Sequence, residues 1–198
     1  MRRICFGGSF NPVHHGHLIC ARAVAEAAGF DRVVLIPNAL SPLKLTNETA
    51  SPVHRLAMCR LAVQGDETFE VDDVELARGG SSYTIDTARE ICRRGWEEVH
   101  WLVGADMVNL LPKWHEPDAL LREVAFVLMA RPGHPIDWAG LPPNVQHLRD
   151  RVIEAPLIQI SATEIRRRVS SGLPIDYLTP PAVCDYIAAN GLYRRPKA

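Results

Sequence analysis

The chain has 198 residues, a net charge of −1 and 47% hydrophobic residues, enough for one domain that buries roughly 70% of the surface its unfolded form exposes. So small a net charge excludes recruitment of nucleic acid by a long-range basic field, and no apolar run reaches the ~20 residues that span a bilayer. Five scattered cysteines (Cys5, Cys20, Cys59, Cys92, Cys184), an odd number without a Cys-x-x-Cys pair, predict reduced thiols and, with no signal peptide ahead of the first strand, a cytoplasmic protein.

In chain order, Arg3–Phe6 reads as a first strand and Gly16–Ala28 as an alanine-rich helix. Arg32–Ile36 is a continuous apolar run, as in a strand buried on both faces. A Pro-containing loop covers Pro37–Ala50, and Ser51-Pro52 marks a helix start with serine as N-cap. Phe69–Leu76 reads as β, Ser81–Arg94 as helix and Val99–Val103 as another buried strand. Asp118–Glu123 is a short helix, Ala125–Ala130 a strand, and the Pro- and Gly-rich Arg131–Asn144 a loop and excursion. After a short strand, Val152–Ala155, comes the pattern Ser161-Ala162-Thr163-Glu164, a capping box that opens a helix to about Ser170. A last helix starts at Thr179-Pro180 and stops at Asn190-Gly191. This alternation predicts a single Rossmann-like α/β domain over residues 1–198. Its sheet is mostly parallel with helices on both faces, and the C-terminal part, about 157–193, is small and helical. Ligands of such sheets bind at the carboxyl ends of the strands.

Between the first strand and the first helix lies Gly8-Ser9-Phe10-Asn11-Pro12-Val13-His14-His15-Gly16-His17. A turn there leaves backbone N–H groups beside the positive end of a helix dipole, a site for phosphate. His14 and His17, three apart, can point at one ligand. A zinc-binding pair and a pair of capping or packed histidines are the alternatives. No Cys or carboxylate lies close by to complete a metal site, and the helix start near Gly16 is expected not to depend on the imidazoles.

The pattern Gly8, Phe10, Pro12, His14, Gly16, His17 resembles the signature of the nucleotidylyltransferases with an HxGH motif, and Gly7–Pro12 resembles their nicotinate-nucleotide adenylyltransferase branch. The resemblance implies a nucleotidyltransferase fold and transfer of the adenylyl group of ATP to nicotinate mononucleotide, in NAD biosynthesis. By the same resemblance Gly8, Ser9 and Phe10 line the ATP site, His17 contacts the phosphates as pyrophosphate leaves, and His14 supports it; His15 stands at a variable position. Ile160-Ser161-Ala162-Thr163-Glu164-Ile165-Arg166 resembles the family's Ile-Ser-x-Thr-x-Ile-Arg motif. It implies ATP contacts from Ile160, Ser161, Thr163 and Arg166. Ala162 departs from relatives that carry serine there. Arg167 and Arg168 read as a solvated helix face.

Lys44 closes a Pro-x-x-x-x-Pro-x-Lys pattern that resembles the family's loop; the resemblance implies that Lys44 approaches the phosphates, a surface lysine being the alternative, and Arg55 is a further candidate of the same kind. Asn11, Lys44, Tyr83, Thr84 and Trp114 are implied for the mononucleotide. Trp114 would stack on the pyridine ring, helix-terminal N–H groups near Thr84 would hold the carboxylate, and the rest of Tyr83–Thr87 would line the pocket. For Trp114 the structural alternative is a cap on the core. Gly104 and Asp106 are implied for ATP, Asp106 reaching a ribose or supporting the nucleotide site. Mg²⁺ is expected on the triphosphate and water, because no carboxylate cluster is visible. Expected partners are ATP and nicotinate mononucleotide, with no nucleic acid and no membrane; the oligomeric state is left open, a homodimer being one form. A phosphopantetheine-type acceptor and a non-catalytic nucleotide sensor are the rival readings.

Overall fold

The structure, a computed structural model, describes residues 1–40, 50–130 and 136–194. In order come β1 (Arg3–Gly8), α1 (His15–Ala27), β2 (Arg32–Pro37), α2 (Pro52–Ala62), β3 (Phe69–Val71), α3 (Val74–Arg78), α4 (Thr84–Arg93) and β4 (Val99–Gly104). After a 3₁₀ stretch, Ala105–Lys113, follow α5 (Pro117–Glu123) and β5 (Val124–Ala130). Two further 3₁₀ segments, Trp138–Gly140 and Pro143–Arg151, precede β6 (Val152–Glu154), α6 (Ala162–Ser170) and α7 (Pro181–Ala189).

Every pairing in the sheet is parallel, and the strand order is β3-β2-β1-β4-β5-β6. The chain winds outward from β1 through β3, then returns to place β4 on the other side of β1. That reversal opens a crevice between the carboxyl ends of β1 and β4. Phe6 pairs with Leu102, so Gly8 and Gly104, each two residues further on, leave the sheet at one level.

The apolar run of β2 is explained by its two faces. Val33 and Leu35 join the core under α1, α2, α6 and α7, while Val34 and Ile36 join the core under α3, α4 and α5. All four are at most 2% exposed.

Several expectations are corrected. The β reading of Phe69–Leu76 holds only to Val71, because the Asp72 carboxylate accepts from the Val74 amide (2.9 Å) and turns the chain into α3. The helix expected from Ser81 begins at Thr84: Ser81 forms a β-bridge with Leu40, and the Ser82 amide donates to the Leu40 carbonyl at 2.9 Å. Ser51 stands at the N-cap of α2 but its hydroxyl makes no cap bond, Pro52 having removed one orphan donor. The capping box of α6 is half-formed: the Ser161 hydroxyl accepts from the Glu164 amide (3.2 Å), but the Glu164 carboxylate turns to Arg167, 2.7 Å away. In the described part of the expected 131–144 loop most residues are exposed; Leu141, at 9%, is the buried one among residues 136–144, and the Gln146 side-chain amide donates to its carbonyl at 2.9 Å.

Candidate active site

The turn after β1 is fastened from both sides. On one side the Asn38 amide donates to the Gly8 carbonyl (3.0 Å) and Arg55 donates to the Ser9 carbonyl (2.7 Å). On the other, the Thr179 hydroxyl donates to the Val13 carbonyl (2.8 Å) and the His15 amide to the Leu178 carbonyl (3.1 Å). Asn11 is 5% exposed; its side-chain oxygen accepts from the Ala50 amide (3.0 Å) and the Tyr193 hydroxyl (2.8 Å), so that atom is committed to the frame. Phe10, with φ at 45°, turns its ring into the core at 2% exposure, where it meets Phe6 and His17 edge-on. Its side chain is therefore closed to ATP, which leaves only its backbone for that role.

His14 and His17 cap their own helix. The His17 amide donates to His14 Nδ1 and the His14 amide to His17 Nδ1, each at 3.3 Å, a reciprocal box built from imidazoles. The rings stack with centroids 3.6 Å apart. The expectation that this helix start is independent of the imidazoles is wrong, and the supply of unpaired amides is smaller than expected. Of the first three amides of α1, those of His15 and His17 are taken, and that of Gly16 has no partner among the described residues. A Cβ at Gly16 would come 3.0 Å from His14 Nδ1, so a side chain there would press on the capping ring. An Nδ1 that accepts leaves the ring proton on Nε2, so the box fixes the tautomer of both rings.

Arg166 reaches this turn from 155 residues away. One amino group donates to the Asn11 carbonyl (2.9 Å) and the other to the Thr163 hydroxyl (3.3 Å), while its buried Nε finds no acceptor among the described residues. Ile160, Ser161 and Thr163 open α6 beside it, with Ser161 and Thr163 exposed. At the end of β4, Asp106 is exposed and folds its carboxylate back over Gly104, where a Cβ would come within 2.5 Å of Oδ1.

Arg55 is corrected. It is 3% exposed, and its five N–H groups all go to protein oxygens: the carbonyls of Ala50, Ser9, Asn38 and Ala39 and the Asn38 side chain. Burial lowers its pKa from the usual arginine value. It frames the site and has no donor left for a phosphate. Lys44 lies outside the described residues.

On the opposite face of the sheet, Tyr83 and Thr84 open α4, and the Tyr83 ring stacks on His115 with centroids 4.3 Å apart. Trp114 is half-buried against Phe126, edge-on at 6.3 Å, and its buried indole N–H has no acceptor among the described residues. His115 was given no role by sequence reasoning; its place beside Trp114 was the available signal. Residues 38–40 join the two halves. Asn38 bonds the signature turn as above, while the Ala39 amide donates to the Ser82 hydroxyl (2.8 Å) next to Tyr83.

The cytidylyltransferase-like family matches residues 5–168 of the chain. The nicotinate-nucleotide adenylyltransferase of Bacillus subtilis (strain 168) is 37% identical over 189 residues, 95% of this chain and 96% of its own. The "Probable nicotinate-nucleotide adenylyltransferase" of Roseiflexus sp. (strain RS-1) is 43% identical over 190 residues, 95% of this chain and 96% of its own. This chain belongs to the nicotinate-nucleotide adenylyltransferase family. In fold it is similar to the Plasmodium falciparum nicotinic acid mononucleotide adenylyltransferase complexed with NaAD, with a TM-score of 0.75 over 98% of both chains at 19% identity. Family membership accounts for the signature turn and the α6 motif standing together at the crevice.

Proposed function

We propose that this chain transfers the adenylyl group of ATP to nicotinate mononucleotide, releasing pyrophosphate and forming nicotinate adenine dinucleotide in NAD biosynthesis. The observation that carries this reading is the continuous rim from α6 through the signature turn and residues 38–40 to the start of α4. In this reading the signature turn takes the phosphates and the aromatic group at the start of α4 takes the pyridine ring.

In this reading the 5′-phosphate of the mononucleotide attacks the α-phosphorus of ATP in line. A new O–P bond forms, the bond to the bridging oxygen of pyrophosphate breaks, and the electron pair leaves with pyrophosphate. The attacking group is already an anion, so no general base is needed; the task is alignment and charge neutralisation. His17, with its proton held on Nε2, donates toward the departing phosphates, and His14 does the same beside it. The Gly16 amide, the start of α6 with Ile160, Ser161 and Thr163, the guanidinium of Arg166, and Lys44 share the remaining charge. Gly8, Ser9 and the Phe10 backbone pass beneath the triphosphate, and Gly104 and Asp106 flank the nucleoside. Asn11, Tyr83, Thr84 and Trp114 form the mononucleotide side. Among the described residues no group of three or more His, Cys, Asp or Glu could cage a metal. In this reading Mg²⁺ would be held by ATP oxygens and water, as this cation often is. No described helix is long and apolar enough to cross a membrane.

The half-buried indole is the feature that separates a pyridine acceptor from phosphopantetheine. Trp114→Ala should raise KM for nicotinate mononucleotide by about tenfold, from ~1–2 kcal/mol of lost stacking, and leave KM for ATP nearly unchanged. Steady-state kinetics with both substrates varied measure this. Equal changes in both constants would assign Trp114 to the core, and faster use of phosphopantetheine by the parent protein would overturn the acceptor.

A further inference from the structure

The C-terminal segment Tyr186–Tyr193 has no role in the reaction as described so far, yet it ends against the signature turn. Tyr193 lies two residues beyond Gly191, and its own φ is 61°, a left-handed conformation that a bulky residue adopts only when its surroundings hold it there. Its ring packs against the core under α1 and α2, and its hydroxyl donates to the side-chain oxygen of Asn11 at 2.8 Å across 182 residues of sequence. The other oxygen of Asn11, its carbonyl, accepts from Arg166 at 2.9 Å. Two C-terminal residues thus hold the two oxygens of one residue at the middle of the turn. Burial also pushes the phenol's pKa well above the usual tyrosine value, so the hydroxyl stays a donor throughout the working pH range.

We infer that Tyr193 is a positioning residue for the reaction: through Asn11 it holds the Gly8–His17 turn in the shape that receives the ATP phosphates. The inference rests on the reading of that turn as the phosphate site. Asn11 itself need not touch ATP. Its place decides where Ser9 and Phe10 run on one side and where His14 begins α1 on the other, and catalysis by alignment is sensitive to small displacements of such a frame.

Tyr193→Phe removes the hydroxyl and keeps the ring. Tyr186→Phe is the matched control: its hydroxyl makes a hydrogen bond of the same length class, 2.9 Å to His54 Nδ1, from the same C-terminal region, but it does not touch the turn. Tyr193→Phe should lower kcat/KM for ATP by about three- to tenfold, the kinetic equivalent of one neutral hydrogen bond. Tyr186→Phe should stay within about twofold of the parent, although both variants lose a similar amount of thermal stability. Parent-like kinetics in Tyr193→Phe, or equal slowing in both variants, would overturn the inference, because a merely structural tyrosine gives one of those two results.

Amide hydrogen exchange on the ligand-free proteins separates this from the functional reading. Exchange at residues 9–11 should quicken in Tyr193→Phe and not in Tyr186→Phe, and unchanged exchange would overturn the positioning role whatever the kinetics. Should the parent protein fail to consume ATP, the functional reading falls, and the exchange comparison still decides whether Tyr193 holds the turn.

Discussion

An imidazole that accepts at Nδ1 can donate only from Nε2, so the mutual capping of His14 and His17 prepares both rings as donors before any substrate arrives. The same bonds tie chemistry to stability. His17→Ala should lower kcat by roughly 10²–10³-fold. It should also cost about 1 kcal/mol of stability, a fall in Tm of about 2–4 °C, because the His14 amide loses its cap. His17→Asn separates the two effects: its side-chain oxygen can still cap the His14 amide, while it offers nothing at the position of Nε2. Calorimetry and turnover on the two variants should therefore show a recovered Tm in the asparagine variant beside an equally low kcat. The histidine pair was legible from its spacing in a strand–turn–helix context. Its capping role was not, because histidine is not among the usual N-cap residues. Nor was the fate of Arg55, since nothing in Ser51–Arg55 announces that a guanidinium will be folded onto carbonyls from residues 9, 38, 39 and 50.

Among the elements, α6 shows how one helix serves the site on one face and solvent on another. Arg166 points to the signature turn, Arg167 pairs with Glu164 on the exposed side, and Arg168 donates to the Pro174 carbonyl at 2.7 Å. Arg167 is thus a cleaner control than Arg168, whose bond ties down the chain after the helix. Arg166→Lys keeps the charge but loses the planar fork, and kcat/KM for ATP should fall by at least about tenfold; Arg167→Lys should leave it within about twofold. Equal, small effects at both positions would remove Arg166 from the phosphate site. The strands were readable because both faces of β1, β2, β4 and β5 are covered, so each appears as an apolar run. The misreadings sit where a short polar group decides the path. Asp72 ends β3, and the pairing of Ser81 and Ser82 with Leu40 delays α4. The 3₁₀ stretch Ala105–Lys113 had no periodic signal, with Pro112 near its end.

For the molecule as a whole, one carboxylate is buried among the described residues, in α3 on one side of the sheet. Glu75 is 4% exposed; it accepts from the Thr87 hydroxyl at 2.7 Å and is hydrogen-bonded by Ser82, yet burial outweighs both and raises its pKa above the usual glutamate value. An acid whose pKa is higher in the folded than in the unfolded chain favours folding most where it is protonated. That contribution is lost as pH rises through the folded pKa. Glu75→Gln, which stays neutral and can still accept from Thr87, should therefore melt above the parent at pH 8, and the gap should close as pH falls to about 4.5. A parent that melts higher at pH 8 would show that the ionised form is the better fit. The parallel doubly wound sheet was legible from the order of strands and helices, and the crevice followed from it. The fastening of the turn was not, since it depends on partners far along the chain: Arg55, Arg166, Leu178, Thr179 and Tyr193. That arrangement orders events at the ribosome. The signature turn is translated well before four of these five fasteners, so a nascent chain carries the motif before the contacts that shape it. A chain cut before residue 166 would hold the histidines without Arg166, Leu178, Thr179 and Tyr193 against their turn.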